Sequence, residues 1–181
     1  MYFKLGFTHI LPFGLDHVLF VLGLFFLSLR WRPLLMQVTA FTLAHSITLG
    51  LSLFGLFSLS PKVVEPLIAL SIVYVAVENV LTDAFKPWRL AIVFSFGLLH
   101  GLGFAGALQE VQIPRQDFLT ALVSFNLGVE AGQLTVILLA FAIFGLSFGR
   151  KIWYRHRISI PASVLIGLTG LFWTVQRVFW S

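Results

Sequence analysis

The chain reads as six long apolar stretches separated by short polar breaks. They run Leu5–Leu29, Leu34–Leu59, Val63–Phe85, Trp88–Leu108, Phe118–Phe148 and Ile158–Trp180, and each reaches the length of about 20 apolar residues that a bilayer-crossing helix requires. The breaks hold helix-ending or charged residues: Arg30-Trp31-Arg32-Pro33, Ser60-Pro61-Lys62, Lys86-Pro87, Ile113-Pro114-Arg115, and the run from Gly149 to Arg157. The fifth stretch exceeds one perpendicular span, so it tilts or extends into the interface. No loop is long enough for a soluble domain. The pattern predicts one all-α domain over residues 1–181, a polytopic membrane protein of six transmembrane helices.

Composition agrees. Of 181 residues, 59% are hydrophobic and 10% charged, with a mean hydropathy of +0.97; a soluble domain carries about 25% charge. The absence of cysteine excludes disulfides, thiolate metal sites and thiol nucleophiles. The net charge of +5 is spread along the chain and makes no nucleic-acid stripe. Its placement sets an orientation. Loops after the first, third and fifth stretches hold Arg30, Arg32, Lys86, Arg89, Arg150, Lys151, Arg155 and Arg157, and the other side holds Lys4, Lys62, Arg115 and Arg177. Eight against four puts those loops in the cytoplasm and both termini outside. The first stretch begins almost at Met1 with a single Lys, and its polar residues argue against a cleaved signal segment.

A weak internal echo is present. Phe13-Gly14-Leu15-Asp16-His17 resembles Phe96-Gly97-Leu98-Leu99-His100, and Phe41-Thr42-Leu43-Ala44 meets Phe125-Asn126-Leu127-Gly128. A three-plus-three repeat of this kind is inverted in the membrane, a transporter habit.

The acids and histidines do not follow the basic residues to the helix ends. Asp16, His17, His45, Glu78, His100 and Glu130 fall inside apolar stretches, where an ionisable group costs at least about 2–3 kcal/mol and normally faces an interior with a function. Asn126, Glu130 and Gln133 share one helical face, as do Ser71, Tyr74 and Glu78. Gly97 and Gly101 bracket His100, and Gly128 and Gly132 bracket Glu130; such small-residue faces allow close helix approach and predict that the fourth and fifth stretches present these two residues to each other. Three carboxylates without basic neighbours cannot all stay ionised in a dry interior. They are protonated, wetted, paired with imidazolium or bound to a cation. Imidazole with carboxylate suits nickel, iron or zinc; a proton relay and structural hydrogen bonding are the other readings. His9 is an entry ligand or a solvated interfacial histidine. Ser46, Tyr74, Asn79, Asn126 and Gln133 are candidates for bracing the ligands. His156 belongs to a basic loop, and Glu65, Asp83, Glu110 and Asp117 sit at helix ends facing water.

The motifs His9-Ile10-x-x-x-Gly14-x-Asp16-His17, Phe41-Thr42-x-Ala44-His45-Ser46-x-Thr48, Glu78-Asn79, Phe96-Gly97-x-x-His100-Gly101-x-Gly103-Phe104 and Phe125-Asn126-x-Gly128-x-Glu130-x-Gly132-Gln133 resemble the HupE/UreJ family, its second branch in particular. The resemblance implies a bacterial inner-membrane, multi-pass permease for nickel or cobalt, associated with hydrogenase or urease maturation. It implies a metal signature at His9, Asp16 and His17, with His45 and His100 completing a polar path. The better-studied branch has five residues between its first His and the Asp-His pair, whereas six separate His9 from Asp16 here.

Two function classes follow. In the first, a divalent transition metal (nickel, cobalt or zinc) enters near His9, exchanges onto Asp16, His17, His45, His100 and Glu130, and leaves past Glu78. In the second, the same residues hold zinc in an intramembrane metalloenzyme, although His-Glu-x-x-His and Gly-x-Ser-x-Gly are both lacking. Haem on a histidine pair is a third, less attractive, reading because of the nearby acids. The partners implied are the metal ion and the lipid bilayer, with no nucleic acid; a homo-oligomer is compatible with either class.

Overall fold

Proline and glycine divide the first apolar stretch. Pro12 has no N–H with which to continue a helix, and the chain turns through Phe13 and Gly14 before helix resumes. The expected single span from Leu5 to Leu29 is therefore two helices, α1 (Tyr2–Ile10) and α2 (Leu15–Leu27), bent by 67°. The computed structural model describes residues 1–109 and 114–180, with the backbone alone for 105–109 and 115. Glu110 and Ile113, expected at a helix end and in a break, lie outside the described residues.

The other stretches form α3 (Trp31–Leu53), α4 (Pro61–Leu81), α5 (Arg89–Gln109) and α6 (Phe118–Ala140). A π-type turn at Phe141–Gly145 continues α6 into the short α7 (Leu146–Phe148), and a second at Arg155–Ser159 leads into α8 (Ile160–Phe179). Helix accounts for 83% of the structure, with no strand among the described residues. Four helical runs are long and apolar enough to cross a membrane: Trp31–Leu53, Pro61–Leu81, Phe118–Phe148 and Arg155–Phe179. The bent α1–α2 pair, taken as one span, makes a fifth, and the apolar part of α5, Arg89–Phe104, is shorter. The chain thus fits a multi-pass all-helical membrane protein, with four or five such helices by length and composition. The run Phe118–Phe148 has 31 residues, about 46 Å of helix against about 30 Å of hydrocarbon.

Helix α3 packs along α5, α6 along α1, and α4 along α8. Glycine sets the first two contacts. A Cβ at Gly97 or Gly101 of α5 would collide with the Phe41 or His45 carbonyl of α3, and one at Gly128 or Gly132 of α6 would meet the Phe3 carbonyl or Ile10 of α1. The two small-residue faces therefore serve different neighbours. This corrects the expected mutual pairing of the fourth and fifth stretches, because sequence spacing marks a groove without saying what fills it. Phe20, Phe25, Phe41, Ile72, Phe125 and Ile137 are fully buried between the helices. His17, His45 and His100 are buried in the same interior.

Candidate metal centre

The break at Pro12 is what assembles the site. His9 lies in the last turn of α1, and Asp16 and His17 open α2, so the bend turns both towards one point. The His9 and His17 rings come to 4.7 Å between centroids. His45, in the middle of α3, lies 6.1 Å from His9 and 6.0 Å from His17, and His100 of α5 lies 4.8 Å from His17. One ligand-capable nitrogen from each of His9, His17 and His45 falls within 4.8 Å of the other two. Three nitrogens on one ion, each at about 2.1 Å in tetrahedral geometry, stand about 3.4 Å apart. An edge at the 4.8 Å limit must therefore shorten by more than about 1 Å for all three to hold one ion.

The second nitrogen of each ring decides where the lone pair sits. His100 Nδ1 is 2.8 Å from the Phe96 carbonyl; a carbonyl only accepts, so Nδ1 of the neutral ring carries the proton. His17 Nδ1 donates to Asp16 Oδ1 at 3.2 Å. Asn126 Nδ2 donates to the Leu122 carbonyl at 2.8 Å, which turns its Oδ1 towards His45 Nδ1 at 3.1 Å. In all three rings Nε2 is left as an outward lone pair, as in histidines that bind metal through one nitrogen and are braced through the other. Nε2 of His9, His17, His45 and His100 is buried with no hydrogen-bond partner among the described residues. An unmet buried polar atom costs about 1–3 kcal/mol, so four of them, three on the rings of one close cluster, call for a cation or protons.

Aromatic rings hold these imidazoles in place. His45 lies between Phe41 and Phe125, nearly parallel to both at 20° and 16°, and Phe104 packs on His9 with centroids 3.7 Å apart. A cavity of about 360 Å³, lined by His9, Asp16, His17 and His100, reaches the surface at the exposed Phe13 and Glu65. Arg177 of α8 stands at its mouth, with Nη2 3.8 Å from Asp16 Oδ2 and Nη1 donating to the Glu65 carbonyl at 3.1 Å. Sequence reasoning gave neither Glu65 nor Arg177 a place here. The available signal was a lone arginine in the last turn of an otherwise apolar helix.

A family model described as HupE / UreJ protein, the second of that name, matches residues 1–177. The chain belongs to the HupE/UreJ family. This is a membrane family of nickel- and cobalt-type transporters. Comparison with the curated proteins and with the solved structures finds no match.

In this HupE/UreJ chain the other polar residues singled out by sequence make contacts elsewhere. Glu78 Oε2 accepts from Arg89 Nη1 at 2.6 Å, while Arg89 Nε donates to Gln37 Oε1 at 2.8 Å and Nη2 to Asn79 Oδ1 at 3.5 Å. Arg89 is fully buried. The expectation that the intramembrane carboxylates lack a basic neighbour is thereby corrected: Arg89 sits at a helix end, but its side chain runs inward. Asn79 Nδ2 also donates to the Gly23 carbonyl at 2.7 Å and to Ser163 at 3.1 Å. Glu130 accepts from Thr39 Oγ1 at 2.7 Å, and Gln133 Oε1 from Thr42 Oγ1 at 3.1 Å, both between α3 and α6. Ser46 donates to the Thr42 carbonyl of its own helix at 2.7 Å, and Tyr74 packs against Phe96. His156, Asp83 and Asp117 are exposed. The structure thus gathers His9, Asp16, His17, His45 and His100, with Asn126 beside them, and places Glu78 and Glu130 in other contacts.

Proposed function

We propose that this HupE/UreJ chain is an inner-membrane permease for a divalent transition metal of the nickel or cobalt type. His9, His17 and His45 would bind the ion, His100 would lie next to it across His17, and Asp16 would act mainly by bracing His17. The observation that carries this is the cluster of His9, His17 and His45, each with a buried Nε2 unpartnered among the described residues, beside a surface-open cavity lined by His9, His17 and His100. All-nitrogen donors with a nearby carboxylate suit nickel, cobalt or zinc, and a permease site must also release its ion.

The same reading takes the chain through the membrane six times, with both termini outside and the halves related as a three-plus-three inverted repeat. Helix pairing supports the repeat: α3 lies on α5 as α6 lies on α1, the exchange that an inverted repeat requires. His45 sits between Phe41 and Phe125, which the repeat would make equivalent. Glu65 and Glu78 lie near opposite ends of α4, 13 residues apart, or about 20 Å along the helix. Metal entering beside Glu65 would therefore meet the Arg89–Glu78 pair only at the far side, and that pair must open for exit.

Three histidines beside an open cavity also favour a second reading, a zinc-type intramembrane metalloenzyme, since three protein ligands and a free position activate water. Against it, Asp16 is engaged by His17 and Arg177, and Glu78 and Glu130 have their own partners, so none of these three carboxylates is placed as a free general base. The test is nickel and cobalt accumulation in cells stripped of their own uptake systems. His17→Ala and His45→Ala should abolish accumulation while the protein remains inserted. Normal accumulation by both variants would remove the site.

A further inference from the structure

The histidine cavity has a charged mouth. Asp16 there serves two partners: Oδ1 accepts from the His17 backbone N–H at 2.9 Å and from its Nδ1 at 3.2 Å, while Oδ2 faces Arg177 Nη2 at 3.8 Å. Arg177 is fixed by more than this pair. Its Nη1 donates to the Glu65 carbonyl of α4 at 3.1 Å, and its guanidinium lies 5.6 Å from the Trp173 ring. A side chain of α8 thus reaches α2 and α4 at the place where the cavity meets the surface.

The chemistry of this arrangement is competitive. A guanidinium stays charged at any working pH, so Asp16 is balanced while the imidazoles are free. A dication entering the cavity brings a second positive centre to the same carboxylate, and the two repel. The Arg177–Asp16 pair is built to yield, because 3.8 Å is well beyond the about 2.7–2.9 Å of a charge-assisted hydrogen bond. Both side chains are also partly exposed, where an ion pair is weak and screened.

We propose that Arg177 is a tethered cation at the mouth of the histidine cavity, resting on Asp16 when the histidines are free and displaced by the entering divalent ion. It would keep affinity low enough for release and hand Asp16 over as the ion arrives. This rests on the metal-site reading above. The test titrates purified protein in detergent with nickel, cobalt and zinc chloride by calorimetry and measures nickel flux into proteoliposomes. The chains compared are the wild type, Arg177→Gln, Arg177→Met and Arg177→Lys, each checked for monodispersity. The Gln and Met variants should bind about tenfold more tightly, having lost one positive charge beside a dication, and should turn over more slowly. The Lys variant, which keeps the charge, should stay close to wild type and separates charge from side-chain shape if the neutral variants do not fold. If the wild type binds and the neutral variants bind equally or more weakly, or if Lys behaves as they do, the proposal is overturned and Arg177 is a brace for α8. A wild type that binds none of the three ions overturns the metal-site reading itself, and this proposal with it.

Discussion

Replacing Asn126 by Ala isolates the hydrogen bond that orients His45. In the native chain Asn126 Oδ1 accepts a hydrogen bond from His45 Nδ1–H at 3.1 Å, and so leaves Nε2 bare. His45 is 0% exposed, so no solvent replaces the lost acceptor. The unpaired N–H should cost about 1–3 kcal/mol of stability. Moving the proton to Nε2 finds no partner among the described residues either, and it removes the lone pair that would bind the ion. Loss of such a bracing partner typically weakens metal binding by about 10–100-fold, or about 1.4–2.7 kcal/mol. Asn126→Asp keeps an acceptor on Nδ1 and should lose less. The assay is nickel calorimetry at fixed pH, alongside thermal melting of metal-free protein. Full affinity in a folded Asn126→Ala protein would refute the reasoning: the stacking of Phe41 and Phe125 would then be sufficient to aim the ring, and the tautomer argument would be wrong.

Other consequences can be checked individually. Glu78→Ala strands the buried Arg89 and should destabilise by about 3–5 kcal/mol, read as lost folded yield and a lower melting temperature; adding Arg89→Met should recover much of it. Glu130→Gln keeps an acceptor for Thr39 and touches no imidazole, so nickel affinity should not change; a large loss would bring Glu130 back as a ligand. Tyr154 lies in the loop before α8, where burial pushes its phenol up to about 12, and its Oη has no partner among the described residues. Because the folded value lies above the ordinary one near about 10, the stability this group confers is complete below about pH 10 and is lost as pH rises through about 12. Tyr154→Phe should therefore blunt the alkaline fall in melting temperature without lowering the melting point at neutral pH.

The apolar stretches are legible because hydrocarbon imposes a minimum length and excludes charge, and each long helix of the bundle overlaps one of them, some starting two or three residues earlier. What sequence leaves hidden is direction. Pro12 marks a break, but the 67° bend that turns His9 towards His17 depends on α6 holding α1 through Gly128 and Gly132. Arg89 looks like a solvated helix end, and only the packing of α3, α4 and α5 shows that its guanidinium runs inward to Gln37 and Glu78. Regular spacing puts Asn126, Glu130 and Gln133 on one face, yet each meets a different partner along α3: His45, Thr39 and Thr42. The approach of Arg177 to Asp16 joins residues from opposite ends of the chain and has no local signature.

The central claim is that His9, His17 and His45 bind a divalent ion, and equilibrium binding measured on the purified protein tests it most directly. Nickel, cobalt and zinc should be titrated into the wild type and the His17→Ala/His45→Ala chain at several pH values. One ion per wild-type chain, lost in the variant and bound less tightly as pH falls because protons compete for the imidazoles, is the result this account predicts. No binding of any of the three ions, or binding that the double substitution leaves unchanged, would contradict it.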